Sequence, residues 1–168
     1  DLTKISLSPE SIARHHDMKI VYTPIHGTGV TVIPPTLKAF GFTNIIHVPE
    51  QDVVSGDFPT VVSPNPEEPA ALALAVEKAK ETDAELVLAS DPDADRVGAA
   101  VKNNEGEWVL LNGNQTALMF VYYLITRWKE LGKINGKEYI VKTIVTTELI
   151  RTIAERNGVE IYDVYTGF

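Results

Sequence analysis

The stretch Glu85-Leu86-Val87-Leu88-Ala89-Ser90-Asp91-Pro92-Asp93-Ala94-Asp95-Arg96-Val97-Gly98-Ala99-Ala100-Val101 decides the reading of this chain. Glu85 to Ser90 predicts a buried strand leading in, and Val97 to Val101 predicts a strand leading out. Between them, in what reads as a tight loop, Asp91, Asp93 and Asp95 fall at every second position, and Arg96 follows. In extended backbone, residues two apart point the same way, so the three carboxylates can converge on one point. Converging anions repel unless something positive sits between them. Oxygen donors suit a hard divalent cation, and Mg²⁺ is the commonest. Arg96 adds a planar cationic fork of the kind that binds phosphate. A metal beside an arginine suggests phosphoryl chemistry.

On the residues alone, the run is either such a metal loop or a solvated acidic turn. A calcium EF-hand loop needs glycine at its sixth position and glutamate at its twelfth. Arg96 and Lys102 stand there, so that reading fails. An Asp-x-Asp-x-Thr/Val phosphatase pattern would put Asp95 where Thr or Val belongs; it fits less well and stays open.

Outward from the loop, strands alternate with helices. Lys19 to Ile25 and Asn44 to Val48 read as strands, with a helix over Val32 to Phe40 that opens near Pro34 and Pro35 and stops at Gly41. Ser8-Pro9-Glu10 is a plausible earlier helix start. Pro49 to Pro66 reads as a loop, and Glu67 to Glu81 as a helix with acidic residues in its first turn. Lys102 to Glu107 turns into a strand at Trp108 to Leu111. Asn114 to Leu131 predicts an apolar helix, Tyr139 to Val145 a strand, Thr147 to Asn157 a helix and Val159 to Val164 a strand. Such alternation indicates an α/β sheet with helices on both faces. One unit closes and another begins near Asn112 and Gly113.

Composition narrows the function classes. The 168 residues are 44% hydrophobic and 23% charged, as in ordinary globular domains. A net charge of −8 without a basic stripe argues against nucleic acid. The absence of cysteine rules out disulfides and thiolate metal sites and fits a reducing compartment, so a cytoplasmic location is expected. The longest apolar run, Ala117 to Ile125, is nine residues, too short to span a bilayer. No membrane partner is expected, and no stretch reads as a signal peptide. Both ends look cut, at Asp1 and at Phe168.

Thr23-Pro24-Ile25-His26-Gly27-Thr28-Gly29 follows a strand and precedes a helix. Its glycines allow either a sharp structural turn or close approach to a ligand, and the turn is the simpler reading. His26 reads first as a hydrogen-bonded loop histidine. Asn65, in Ser63-Pro64-Asn65-Pro66-Glu67-Glu68, is a helix-capping candidate. His15, His16 and His47 lack metal-cluster spacing. Ser6, Ser8, Ser11, Ser55, Ser63 and Ser90 have no paired base, so a nucleophilic triad has no support.

These pieces together resemble the α-D-phosphohexomutase family. The loop Ala89 to Arg96 resembles its metal loop, and Thr23 to Gly29 resembles the opening of its second domain. Ser63 to Glu68, Gly113-Asn114-Gln115, Lys142-Thr143-Ile144-Val145-Thr146-Thr147-Glu148 and Thr166-Gly167-Phe168 follow in family order. The Thr-Pro-x-His-Gly-Thr-Gly form is nearest to the phosphoglucomutase/phosphomannomutase branch. The resemblance implies a fold of class α/β: a three-layer α/β/α mixed-sheet domain over residues 1–112, then a truncated second α/β unit over residues 113–168. It implies Mg²⁺ as cofactor on Asp91, Asp93 and Asp95, with Arg96 as the catalytic contact to the phosphoryl group or sugar. His26, Thr166 and Gly167 are the candidate substrate contacts. The implied partner is a hexose phosphate, isomerised between 1- and 6-phosphate through a phosphoserine and a bisphosphate intermediate, with phosphomannomutase or phosphopentomutase activity as the alternative. A non-catalytic Mg²⁺- or phosphate-binding module is the reading from another class.

The departures from the family matter. No Ser-His-Asn-Pro nucleophile loop is present, nor a Gly-Glu-x-Ser sugar loop, nor an Arg-x-Ser-Gly-Thr phosphate loop. The chain therefore reads as a middle piece, inactive by itself. Its second unit carries more apolar surface on Asn114 to Leu131 than two strands can cover, so self-association through this half, or local disorder near the C-terminus, is expected.

Overall fold

The computed structural model describes residues 2–167. The chain divides into two compact units, Asp1–Asn112 and Gly113–Phe168. The first opens with a 3₁₀ turn at Leu2–Ile5 and helix α1 (Pro9–Arg14), then strand β1 (Lys19–Thr23). A second 3₁₀ turn (Thr28–Thr31) enters helix α2 (Ile33–Phe40), followed by strand β2 (Asn44–His47). Helices α3 (Pro49–Asp52) and α4 (Pro69–Thr82) precede strands β3 (Leu86–Ser90), β4 (Val97–Lys102) and β5 (Trp108–Leu111).

The five strands form one mixed sheet in the order β2-β1-β3-β4-β5. β1 pairs in parallel with β2 and with β3, while β3, β4 and β5 are joined antiparallel as tight hairpins. The connection through α2 steps outward to the edge, and the one through α4 steps back over β1. Right-handed crossovers therefore put α2 and α4 on opposite faces. This is the expected α/β architecture with a mixed sheet.

β1 lies inside the sheet between β2 and β3, and its Ile20, Val21, Tyr22 and Thr23 are all buried, as a strand covered on both faces requires. α4 buries Ala71, Leu72, Ala75 and Ala79, a stripe at helical spacing, against Val21, Val87 and Ala89. Its alanines let the helix axis approach the sheet closely. Because β1 and β3 run in parallel register, with Thr23 beside Ala89, their following loops leave the same edge of the sheet.

Most elements stand within about two residues of the sequence reading at each end, and around α4 the structure departs from it in three further respects. α4 begins at Pro69 and has no acidic residue in its first turn. Pro69 suits a helix start, and Glu68 stands just outside as the cap residue, where its carboxylate accepts hydrogen bonds from Ser63 Oγ (3.0 Å) and Asn65 Nδ2 (3.4 Å). Asn65 does not cap the helix; its Oδ1 accepts the Glu67 amide in a local turn (3.1 Å). The segment expected to be loop from Pro49 contains α3, because the Gln51 and Asp52 amides both reach the Val48 carbonyl (2.9 and 3.0 Å).

The second unit has helix α5 (Gly113–Glu130), strand β6 (Tyr139–Thr143), helix α6 (Leu149–Arg156) and strand β7 (Glu160–Val164). β6 and β7 form a parallel pair. Ile125, Ala154 and Val159 make its small core, with Val121, Ile140 and Ile161 packed around them. Phe120, Tyr122 and Leu124 of α5 are exposed. Among the described residues no helix is long and apolar enough to cross a membrane. The motif Thr166-Gly167-Phe168 ends on a residue outside the described ones, as do both expected cut points, Asp1 and Phe168.

An ion network ties this unit together. The buried Lys142 Nζ donates to Glu148 Oε1 (2.6 Å) and contacts Asp163 Oδ1 (2.9 Å), and Arg151 binds the other oxygens of the same carboxylates. The hydrogen bonds from Lys142 hold the Glu148 and Asp163 carboxyls below their ordinary values, and those from Glu148 and Asp163 hold the Lys142 amine above its own. A depressed carboxyl pKa gives stability that is present above the unfolded values of 4.5 and 3.8 and is lost as pH falls through the folded ones. The raised lysine gives stability that is present below 10.5 and is lost as pH rises through its folded value. Lys142→Met is expected to lower the unit's melting temperature at neutral pH and to flatten its loss below about pH 4.5. A melting profile against pH that is parallel to wild type would contradict this. Light scattering checks the expected self-association: mass should grow with concentration, and a monodisperse monomer at all concentrations would oppose it.

Candidate metal and phosphoryl site

β3 delivers Asp91 into the interior at the carboxyl edge of the sheet, where it is fully buried. A buried carboxylate needs donors. Arg96 supplies two: its amide to Oδ1 (2.9 Å) and its Nε to Oδ2 (2.6 Å). The Ala94 amide returns to the Asp91 carbonyl (3.0 Å), closing the loop. Ala94 sits at φ 61, a left-handed conformation that costs a side chain with Cβ about 1 kcal/mol. The run is thus a tight loop between two strands, as its flanks indicated, and its carboxylates converge through the turn and not through extended backbone. The turn itself brings Asp91, Asp93 and Asp95 together, each offering an oxygen within 4.8 Å of the others.

Asp93 and Asp95 are exposed, and Asp91 is not. The electrostatics follow from that. Burial pushes the Asp91 carboxyl up, but the Arg96 amide and guanidinium and the Asp93 contact outweigh it, and the group is held below its ordinary value. For Asp95 the balance is opposite: the neighbouring Asp93 charge first, then lost hydration, hold it above its ordinary value. Three carboxylates share one guanidinium, so repulsion remains. A hard cation relieves it, and an all-oxygen donor set fits Mg²⁺.

The loop Pro24–Gly29 packs directly on this turn. The Thr28 amide and Oγ1 both donate to the Pro92 carbonyl (2.9 and 3.1 Å). Tyr22 Oη and Ser90 Oγ are hydrogen-bonded behind it (2.8 Å). The amide at the helix entry is therefore engaged by the protein's own loop, which is the structural-turn reading of this motif.

His26 lies inside, only 1% exposed. Its Nδ1 pairs with the Val53 carbonyl (2.9 Å) and its Nε2 with Thr60 Oγ1 (2.8 Å). Both ring nitrogens are used internally, so the ring braces the Val53–Thr60 loop and presents no face to a substrate. Thr166 and Gly167 follow β7 in the second unit and are exposed. The structure groups Asp91, Asp93, Asp95 and Arg96; it does not add His26 to that group. The sequence reading missed Thr28. Its signal was present in Gly27, which makes room for a partner, but nothing in the sequence named Pro92 as that partner.

Family models match in chain order. Residues 2–106 match the alpha/beta/alpha domain II of phosphoglucomutase/phosphomannomutase, and residues 112–168 match its domain III. The chain belongs to the phosphoglucomutase/phosphomannomutase family. It is 37% identical to a phosphoglucomutase of Staphylococcus saprophyticus over 91% of this chain and 27% of that protein. It is 40% identical to a probable phosphoribomutase of Schizosaccharomyces pombe over 90% of this chain and 26% of that protein. A human phosphopentomutase is 36% identical over 94% of this chain and 26% of its own length. The chain thus spans about a quarter of the length of these relatives. In fold it is similar to a family protein of Burkholderia thailandensis, with TM-score 0.70 and 22% identity over 99% of this chain and 34% of that one.

The exit from the loop is sterically fixed as well. A Cβ at Gly98, on β4, would lie 2.3 Å from the Pro66 carbonyl oxygen. Gly98→Ala is therefore expected to destabilise the first unit by about 1–3 kcal/mol through overpacking. Urea unfolding reads this directly, and an unchanged midpoint would mean that the Pro66 backbone yields freely.

Proposed function

We propose that this chain is the metal-binding part of a phosphohexose mutase that interconverts hexose 1-phosphate and 6-phosphate, with phosphoglucomutase activity in the parent protein. One observation carries the reading: three carboxylates and an arginine held in one braced turn, inside a domain of this family. Asp91, Asp93 and Asp95 would hold Mg²⁺, which when bound supplies positive charge for the oxygens of a transferring phosphoryl group.

The protein's own residues do the rest. Asp91 takes the Nε hydrogen of Arg96 and thereby fixes the plane of the guanidinium. Five N–H donors make up that group, so its terminal amino groups remain to meet a phosphoryl oxygen. The Arg96 side chain is 57% exposed, which leaves it accessible to a substrate. Both features favour charge stabilisation over proton transfer, as phosphoryl transfer demands. The phosphoserine that would donate and reclaim the phosphoryl group is no part of this chain, so the chain alone is proposed to have no turnover. The cysteine-free composition supports a cytoplasmic location.

A second reading keeps the chemistry and changes the sugar. The phosphoribomutase and phosphopentomutase relatives are as similar as the phosphoglucomutase, which favours a pentose phosphate equally. A panel of glucose 1-phosphate and ribose 1-phosphate on the intact parent, with the matching bisphosphate, separates the two by kcat/KM. Asp93→Asn in that parent is expected to lower kcat on the preferred sugar by about 10²-fold, the scale for losing one group that stabilises transition-state charge. In this chain, the same change should weaken Mn²⁺ binding measured by water-proton relaxation. Unaltered kcat and unaltered binding together would remove the loop from the chemistry.

A further inference from the structure

We infer that Gly27 and Thr28 are positioning residues for the metal loop: their clamp on the Pro92 carbonyl sets where the Asp93 carboxylate stands. This rests on the metal-loop reading above.

Of the three carboxylates, Asp91 is anchored by burial and by two donors from Arg96. Asp93 and Asp95 stand in solvent, where their positions depend on the backbone beneath them. The Ala94 amide holds the Asp91 carbonyl (3.0 Å) and the proline ring fixes φ at Pro92, so the rotation left at Pro92 itself is ψ. That rotation swings the Pro92 carbonyl and the Asp93 amide together, since they share one planar peptide. Two hydrogen bonds from Thr28 arrest the carbonyl, from the amide at 2.9 Å and from the hydroxyl at 3.1 Å. The direction in which the chain enters Asp93 is then determined.

Gly27 makes the approach possible. A Cβ there would lie 2.4 Å from Pro92 Cα and 2.7 Å from its carbonyl oxygen. Its φ is −100°, which any residue can adopt, so glycine serves for space and not for conformation. The clamp is itself held from behind. The His26 amide donates to the Gln51 carbonyl (2.9 Å), and the His26 ring is bonded at both nitrogens. Gln51 in turn accepts from Thr23 Oγ1 (2.6 Å) and donates to Thr60 Oγ1 (3.2 Å). A chain of polar contacts, buried at its β1 end and exposed at Thr28, thus runs from β1 through His26 to the loop that carries Thr28, and ends at Pro92.

The test uses this chain with Thr28→Val, Thr28→Ser and Gly27→Ala, with two readouts. Backbone ¹⁵N relaxation reports the order of Asp93, Ala94 and Asp95 without metal, and Mn²⁺ titration by electron paramagnetic resonance reports affinity. Thr28→Val removes one solvent-exposed hydrogen bond, so a loss of about 2- to 5-fold in affinity is expected, with lower order confined to the acidic loop. Thr28→Ser should restore both. Gly27→Ala should act more strongly in the same direction, because its clash is with backbone. If Thr28→Val and Gly27→Ala leave loop order and affinity as in wild type, the inference is overturned. A wild-type chain that binds no Mn²⁺ would sink the metal reading, while the relaxation data would still decide whether the clamp orders the loop.

Discussion

Asp91 is a carboxylate without water, and the carboxyl edge of the sheet is organised around satisfying it. Removing a charge from solvent is costly unless donors replace the lost hydration. The donors come from five residues further along the same turn, as the Arg96 amide and guanidinium. Satisfying Asp91 therefore folds the intervening residues back on themselves. That return places Asp93 and Asp95 beside Asp91, with Ala94 forced into a left-handed conformation to complete the bend.

The turn concentrates negative charge that one arginine does not cancel. A free loop would relax by splaying apart. Here the supports lie on elements that cannot easily move: β3 on one side, β4 on the other, and the Thr28 clamp across the end. The raised Asp95 carboxyl is the visible residue of that conflict. Functional sites commonly keep such local conflicts while the surrounding core over-determines the geometry. The fully buried β1 and the alanine stripe of α4 provide that rigidity here.

Much of this was legible in sequence. Strand and helix positions followed from the apolar patterns and from Gly41 and the prolines, and the three carboxylates with Arg96 announced themselves by spacing. What failed was whatever depended on distant partners. The acidic run reads correctly as a tight loop between strands, yet its spacing does not show that Asp91 is buried and closes the loop on Arg96. Glu67 and Glu68 look like first-turn helix residues, yet Pro69 sets the start and Glu68 answers to Ser63 and Asn65 instead. His26 looks like a possible substrate contact, yet Val53 and Thr60 claim its ring from a loop whose course no local signal reveals. Thr28 and Pro92 are 64 residues apart, and only the parallel register of β1 and β3 makes them neighbours.

The central claim is that the turn gathers its carboxylates to receive a divalent cation. A crystal of the chain soaked in Mn²⁺, with anomalous differences collected near the manganese edge, addresses it without recourse to turnover. The account predicts the strongest anomalous peak among the Asp91, Asp93 and Asp95 carboxylates. A map with manganese bound only elsewhere, and none at this turn under saturating Mn²⁺, would contradict it.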